Sequence, residues 1–461
     1  MKVIIVGNGI LGLMTAYRLI SRDPAVSAWI IGPQDRKGCA SLAAAAMFNS
    51  FCEVDPGTLS NEYETARFVF NMASNRHWPP LLERIEKESG VRVPAGFGTF
   101  LINNHATDSL EDETFDAVLD ALRRFEEPHE MVRPADIPRY RPATKARAAR
   151  AVFLPREGWV NPRALLEALS AILVRSGRVE FVDGYCRSLQ RRGDGVEYVQ
   201  LENGERVTGE WFLLAPGATF SRIVERSNLE LEMPRIFYGI GCSVLLATAE
   251  ATLTHCVRTP NRGLACGVYA APQTDSQTLI GASNLIAPEP EEHARVTSVH
   301  ALLQSAMEQI SADYYRSQIL KVNVGWRPTS EDTLPLLGAT SIQNLLVATG
   351  TKRDGFHCSP VISELLVDLM LGSGPKTDVR LFRPERKPVR LYSREQAIAA
   401  TVRHTLNAAY QHGFTPSKDR MVEDLQRHYR LELERLHDDV GALDWGIPPE
   451  MVNMYKYGHV R

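Results

Sequence analysis

Six residues near the start of the chain, Gly7-Asn8-Gly9-Ile10-Leu11-Gly12, complete the pattern GxGxxG after the apolar run Val3 to Val6 and before a helical stretch from Leu11 to Arg22. In that setting each glycine has its own task. Gly7 permits a tight turn, Gly9 lets a pyrophosphate approach the backbone, and Gly12 lets helix and strand pack closely. The helix N-terminus, with its free N–H groups and the positive end of its dipole, then faces the phosphates. The chemistry on offer is the binding of a dinucleotide; the bland alternative is a glycine-rich turn with no ligand. An acidic residue normally closes the second strand of such a unit and accepts hydrogen bonds from the ribose hydroxyls. Here Gly32 occupies that place, and Asp35 is at best a displaced substitute. A run of small residues follows, Gly38-Cys39-Ala40-Ser41-Leu42-Ala43-Ala44-Ala45-Ala46-Met47. By itself the run reads as an ordinary helix start. Beside the glycine loop, it reads as backbone passing close to a long cofactor, with the Ser41 hydroxyl available to a phosphate.

Further candidates lie far along the chain. Arg327, between Trp326 and Pro328, reads either as a surface arginine in a proline-terminated turn or as a carboxylate ligand, since a guanidinium offers a planar fork of donors and stays charged. Arg353 sits in a glycine-bounded segment and reads either as a site residue or as a salt-bridged loop arginine. Tyr269 lies in a strand-like stretch, where a phenol is able to bond a carboxylate or simply fill a half-buried position. The histidines show no spacing for a metal, and no serine sits in GxSxG, so metalloenzyme and hydrolase chemistries are not expected.

These residues need a large scaffold. With 461 residues, two domains or one elaborated domain are expected. The 44% hydrophobic and 23% charged content suits a folded interior. A net charge of −3, without a basic and aromatic patch, gives no footprint for nucleic acid or an anionic membrane. Small molecules are the expected partners. Seven cysteines (39, 52, 186, 242, 256, 266 and 358) in no CxxC or zinc spacing fit a reducing, cytoplasmic setting. Met1 to Val6 reads as a strand leading into the glycine turn, so a secretory leader is not expected, and neither is a membrane span.

Residues 1–32 pattern as strand, helix, strand. Residues 61–90 read as helices broken at Pro79-Pro80, and a helix is expected near Glu111 to Glu127. Another opens at Pro162, and strands are expected at Val179 to Val182, Tyr198 to Leu201 and Trp211 to Ala215. Arg235 to Leu285 is mostly strand, followed by a helix at Glu291 to Ser311 and a strand at Asn344 to Ala348. From Glu385 onward the chain is charged and helical.

In order along the chain stand the glycine loop, the small-residue run to Met47, Gly158-Trp159-Val160-Asn161-Pro162, Leu214-Ala215-Pro216-Gly217-Ala218, Gly325-Trp326-Arg327-Pro328, and Gly350-Thr351-Lys352-Arg353-Asp354-Gly355-Phe356-His357-Cys358-Ser359-Pro360. On these marks residues 1 to 384 resemble the D-amino-acid oxidase superfamily of flavoproteins, and within it the glycine oxidase and sarcosine oxidase branch. The resemblance implies an α/β fold. A Rossmann-like FAD-binding domain (residues 1–90, 143–225 and 325–384) would be interleaved with an antiparallel-sheet substrate domain (91–142 and 226–324). A helical C-terminal extension (385–461) would follow. Cofactor contacts are implied for Gly7, Gly9, Ile10, Leu11, Gly12, Ala40, Ser41, Ala45, Ala46, Met47, Cys186, Ala215, Gly217, Arg353, Asp354, Gly355, Phe356 and His357. Arg327, Tyr269 and Arg353 are the implied catalytic set, with Arg327 meeting the substrate carboxylate across the flavin. Some relatives hold the flavin covalently through a cysteine near the arginine motif or a histidine in the early loop. Neither position matches here, so the FAD is expected to be noncovalent.

The implied reaction is oxidation of the C–N bond of an amino acid or secondary amine, with glycine or an N-substituted glycine favoured. Hydride passes to flavin N5, the imine hydrolyses, and molecular oxygen is reduced to hydrogen peroxide. A 2-hydroxy-acid dehydrogenase and a tRNA-modifying flavin domain are the rival readings. The extension points to a specialised member acting on a larger amine in secondary metabolism. Its apolar residues Val422, Leu425, Tyr429, Leu433 and Leu436 recur three or four apart, so one helix face must be covered. The cover is the chain's own body, a second subunit in a homo-oligomer, or a cap over the site entrance.

Overall fold

The computed structural model describes residues 1–227, 229–248, 252–263, 267–411 and 413–460; Cys266 lies outside them. The apolar run at the N-terminus becomes the strand Lys2–Val6, whose Val3, Ile4 and Ile5 are fully buried. Such a strand, apolar on both faces, belongs in the middle of a parallel sheet covered on both sides. It lies between Trp211–Leu214 and Ser27–Ile31 in a six-stranded sheet that continues to Val179–Val182 on one side and to Leu345–Thr349 and Leu336–Ala339 on the other. All neighbours are parallel except Leu336–Ala339, which forms an antiparallel edge. One face of the sheet packs on the helices Ile10–Arg22, Pro162–Arg175 and Ser359–Met370; the other packs beneath a three-stranded antiparallel sheet formed by residues 186–208.

A second sheet of ten strands contains the long strands Ala95–Asn104, Ala148–Val160, Ile236–Ala247 and Gln318–Ser330. Its pairing is antiparallel with one exception among the described residues: Cys256–Arg258 runs parallel to Thr99–Leu101. These two strands lie far apart in the chain and need no hairpin, so the parallel register is open to them. On its other side the same strand pairs antiparallel with Tyr269–Thr274, which sets Arg258 opposite Tyr269.

Two helix boundaries differ from the sequence pattern. The break between the two early helices falls at Arg76-His77, and Pro79 and Pro80 sit in the first turn of Trp78–Ser89. Proline is tolerated there because its missing N–H would have no intrahelical partner anyway. The later helix begins at Val296, with Arg295 as its extended N-cap residue.

The extension forms the helices Arg394–Gln411 and Asp419–Asp439, followed by a short helix, Val452–Lys456. Ile398, Val402 and Leu406 pack against Val422, Leu425, Tyr429 and Leu433, so the first helix covers the apolar face of the second. Beyond them Leu436, Trp445, Ile447, Met451, Met454 and Tyr455 close over Phe237 and Ile286 of the large sheet. Polar ties hold the same surface: Arg386 pairs with Asp332 at 2.9 Å with both side chains buried, and the Tyr455 hydroxyl donates to Glu331 at 3.0 Å. Truncation after Pro384 would uncover this apolar seam and leave Asp332 buried without its cation, a loss of about 3–5 kcal/mol for the pair alone. The expected result is an insoluble or early-melting protein, read by soluble yield and thermal denaturation. A truncated chain that matches the full-length one in both would show that the seam contributes nothing.

Candidate active site

The functional side chains gather where the parallel strands end. Immediately after their C-terminal ends lie residues 6–11, 31–33, 184–186, 215–219 and 348–357, and all of these segments line one cavity of about 470 Å3 that runs across the sheet. This is the position in which open α/β sheets bind ligands.

At the centre is the glycine loop. Gly7 has φ +119°, and a β-carbon there would meet the Ala215 carbonyl oxygen at 2.1 Å; one on Gly12 would meet the Gly7 carbonyl oxygen at 1.9 Å. Both glycines are thus required by packing, and Gly12 itself does not line the cavity. Gly9 differs: its nearest neighbours would be Ser41 Oγ at 3.3 Å and Cys39 Sγ at 3.7 Å, and it opens onto the cavity. The helix Ile10–Arg22 has no acidic residue in its first turn, so its positive end is uncompensated. Ser41 Oγ accepts from the Ile10 N–H at 3.1 Å, which leaves the hydroxyl proton to be donated into the cavity. Gly9→Leu should therefore abolish flavin binding while the protein stays folded, whereas Gly12→Ala should cost the fold itself. Flavin absorbance and circular dichroism on the two purified variants separate these outcomes; a flavin-loaded G9L variant would contradict the assignment.

The small-residue run is helical only over Ala40–Ala43 and then extends through Ala44 to Ala46 into the strand Met47–Phe48. It is clamped to the large sheet, since the Trp326 N–H donates to the Gly38 carbonyl at 2.9 Å and the indole lies where a Gly38 β-carbon would be. Asp35 accepts from the Lys37 N–H and does not line the cavity.

Beyond the glycine loop the wall is made by Ala45, Ala46, Met47, Asn49, Glu53, Tyr269, Ala282, Arg327 and residues 351–357. Arg327 Nη1 donates to the Ser283 carbonyl at 2.8 Å and approaches Asn284 Oδ1 at 3.3 Å. Both acceptors are neutral, and no described carboxylate pairs with this guanidinium. Gly241 supplies its room, as a β-carbon there would lie 2.5 Å from Arg327 Cζ. Tyr269 is buried, with its phenol over Gly281 on the paired strand. Arg353 lies 3.5 Å from Glu53 Oε2 and 3.4 Å from Asn261 Oδ1.

Glu53 is the hub that the sequence did not reveal. Its carboxylate also takes Arg258 Nη1 at 2.6 Å and Asn261 Nδ2 at 3.2 Å. Burial alone would raise its pKa, but the two guanidiniums outweigh burial and hold the carboxyl down to about 2. Oriented to accept from Arg258 Nη1 at 2.7 Å, the Asn49 amide donates to Glu157 Oε2 at 3.2 Å. Glu157, fully buried, accepts from the Ser50 and Phe51 N–H groups at 2.9 and 2.5 Å; burial pushes its carboxyl up to about 7 in spite of these bonds. The charged wall of the cavity is thereby tied to the core beneath it.

The segment 351–358 is pinned from outside. Trp78 Nε1 donates to the His357 carbonyl at 2.9 Å, the His357 ring bonds the Asn71 carbonyl, and Lys352 pairs with Glu450 of the extension at 2.6 Å. The Cys358 thiol is buried against Asn71 Oδ1, and burial drives its pKa well up; Cys39 and Cys186 line the cavity. Among the described residues there is no group of three or more His, Cys, Asp or Glu able to hold a metal ion, and no helix long and apolar enough to cross a membrane.

The architecture and the glycine cradle fit a dinucleotide with a second functional end. Comparison with known proteins agrees. A glycine oxidase of Pseudomonas aeruginosa is 26% identical over 393 residues, covering 83% of this chain and 98% of that protein. A bifunctional ThiO/ThiG protein of Nostoc sp. is 25% identical over 436 residues, covering 90% of this chain, which spans only 58% of that relative's length. Among solved structures, glycine oxidase from Geobacillus kaustophilus superposes with a TM-score of 0.71 at 22% identity, over 84% of this chain and 99% of that one, a likeness of fold. The model of the FAD dependent oxidoreductase family matches residues 2–369, and the chain belongs to that family.

Proposed function

We propose that this protein oxidises the C–N bond of a small amine that carries one carboxylate, glycine or an N-substituted glycine being the favoured substrate. The observation that supports this reading is the state of Arg327: a guanidinium in the cavity wall, braced by two neutral acceptors and met by no described carboxylate. Its fork is open to a substrate carboxylate. The charge of Arg353 is directed at Glu53, so one anchoring arginine suits one carboxylate.

The residues that would hold the flavin without a covalent bond are Gly9, Ile10, Leu11 and Ser41 at the phosphates, and Ala45, Ala46, Met47 and the 353–357 segment at the reactive end. Held there, FAD would supply the hydride acceptor for the substrate carbon, with molecular oxygen as the favoured final acceptor. The chain's own work is orientation. Arg327 fixes the carboxylate, the Tyr269 phenol adds a second hydrogen bond to it, and Ala45, Ala46 and Ala282 leave room for a small substrate against an apolar wall. Glu53 keeps its charge throughout the neutral range and so fixes Arg353 and Arg258 in place.

The test is a panel of glycine derivatives, D-amino acids, cyclic imino acids, 2-hydroxy acids and amines without a carboxylate, followed by both hydrogen peroxide release and dye reduction. Turnover of carboxylate-bearing amines, with methylamine inert, is expected. Turnover confined to 2-hydroxy acids, or to amines lacking a carboxylate, would overturn the proposal. Colour that stays with acid-precipitated protein would overturn the noncovalent reading.

A further inference from the structure

The strand Ser27–Ile31 delivers Gly32 to the place where dinucleotide folds carry a carboxylate for the ribose hydroxyls. The space beside Gly32 is nevertheless filled by a polar group. A β-carbon built on Gly32 would lie 2.5 Å from Cγ, 2.7 Å from Oδ1 and 2.8 Å from Nδ2 of Asn8. The carboxamide of Asn8, the residue between the first two glycines of the loop, thus stands where a side chain at position 32 would begin. Its orientation is fixed, because Nδ2 donates to the Pro33 carbonyl at 2.8 Å. Oδ1 is then the end left to accept, and no described donor uses it. Asn8, Gly32 and Pro33 all line the cavity.

We infer that Asn8 takes over the task of the missing acid: its Oδ1 accepts a hydrogen bond from a hydroxyl of the cofactor's adenosine ribose. The inference rests on the cofactor being FAD. It makes positions 8 and 32 a coupled pair, since no side chain at 32 fits while Asn8 holds its place, and an acid at 32 demands a small residue at 8. A neutral carboxamide also supplies a weaker bond than a carboxylate would. One rival for the same contact is on the same wall. Glu202 lines the cavity, although Arg226 engages its carboxylate at 2.6 Å. Arg36 is another neighbour, but a guanidinium has no acceptor to offer.

The experiment compares dissociation constants of FAD and of an FAD analogue lacking both adenosine-ribose hydroxyls, measured by flavin fluorescence on protein stripped of flavin. The wild type should favour FAD by about five- to tenfold, the usual worth of one such hydrogen bond. N8A should lose most of that preference, E202Q should keep it, and the double variant N8A/G32E should recover it. N8S, too short to reach the same point, gives the same reading if N8A does not fold. Full preference in N8A and N8S, or its loss in E202Q alone, would overturn the role of Asn8 while leaving FAD as the cofactor. A wild-type protein that binds neither ligand would overturn the cofactor and the role of Asn8 together.

Discussion

Arg327→Lys is expected to lower kcat/KM by about 10- to 100-fold, with flavin content unchanged, and Arg327→Ala by more. A lysine ammonium is a point charge that cannot bond both oxygens of a carboxylate while keeping the Ser283 carbonyl as a brace. The loss corresponds to one charge-assisted hydrogen bond, about 1.5–3 kcal/mol. Gly241→Ala offers a second route to the same effect, because the added methyl would occupy the position of the guanidinium carbon, 2.5 Å away, without touching its charge. Steady-state kinetics at substrate concentrations well below KM, together with flavin absorbance of the purified variants, measures this. An R327K protein with wild-type kcat/KM would show that bidentate carboxylate binding is not how substrate is held.

Glu53→Gln should be among the most destabilising substitutions that touch the cavity. It leaves volume almost unchanged but removes the carboxylate 2.6 Å from Arg258, a guanidinium with no exposed side-chain surface. Removing one partner of such a pair costs about 3–5 kcal/mol, because the remaining charge stays out of water. The pH dependence carries its own sign. The folded-state pKa of Glu53 lies at about 2, below its ordinary value of 4.5, so its contribution is present above about 4.5 and is lost as pH falls toward 2. The stability gap between wild type and E53Q should therefore be widest at neutral pH and narrow on acidification. Urea denaturation at pH 7 and at successively lower pH measures the gap; equal stability at pH 7 would mean that Arg258 is satisfied without Glu53.

The contrast between Arg327 and Glu53 shows what was legible in the chain. Arg327, the glycine loop, the small-residue run and the 350–360 segment are contiguous motifs, in which a local backbone requirement selects residue types that can be read in order. Of the residues expected at the site, Gly12 is the one that packs behind the cavity. Glu53, Arg258, Asn261 and Glu157 carry no such pattern, for Arg258 is 205 residues from Glu53, and Glu157 is 106 from Phe51. Only sheet pairing brings them together. The one available signal was a charged residue in an apolar strand, Cys256-Val257-Arg258, a position that charge occupies only when paired. Similarly, the absent acid at Gly32 was visible, whereas the carboxamide beside it depends on the side-chain geometry of Asn8. The cover of the extension's apolar face was demanded by its period, but the residues that supply it, Ile398, Val402 and Leu406 of the preceding helix and Phe237 and Ile286 beside Leu436, were not foreseeable from that period.

The most direct test of the account is anaerobic mixing of the yellow, flavin-loaded protein with N-methylglycine or glycine, and separately with methylamine, while flavin absorbance is followed. Bleaching by a carboxylate-bearing amine is expected, with none by methylamine, and in R327A bleaching only at much higher substrate concentration. A fully loaded protein that no carboxylate-bearing amine bleaches, or that methylamine bleaches equally well, would contradict it.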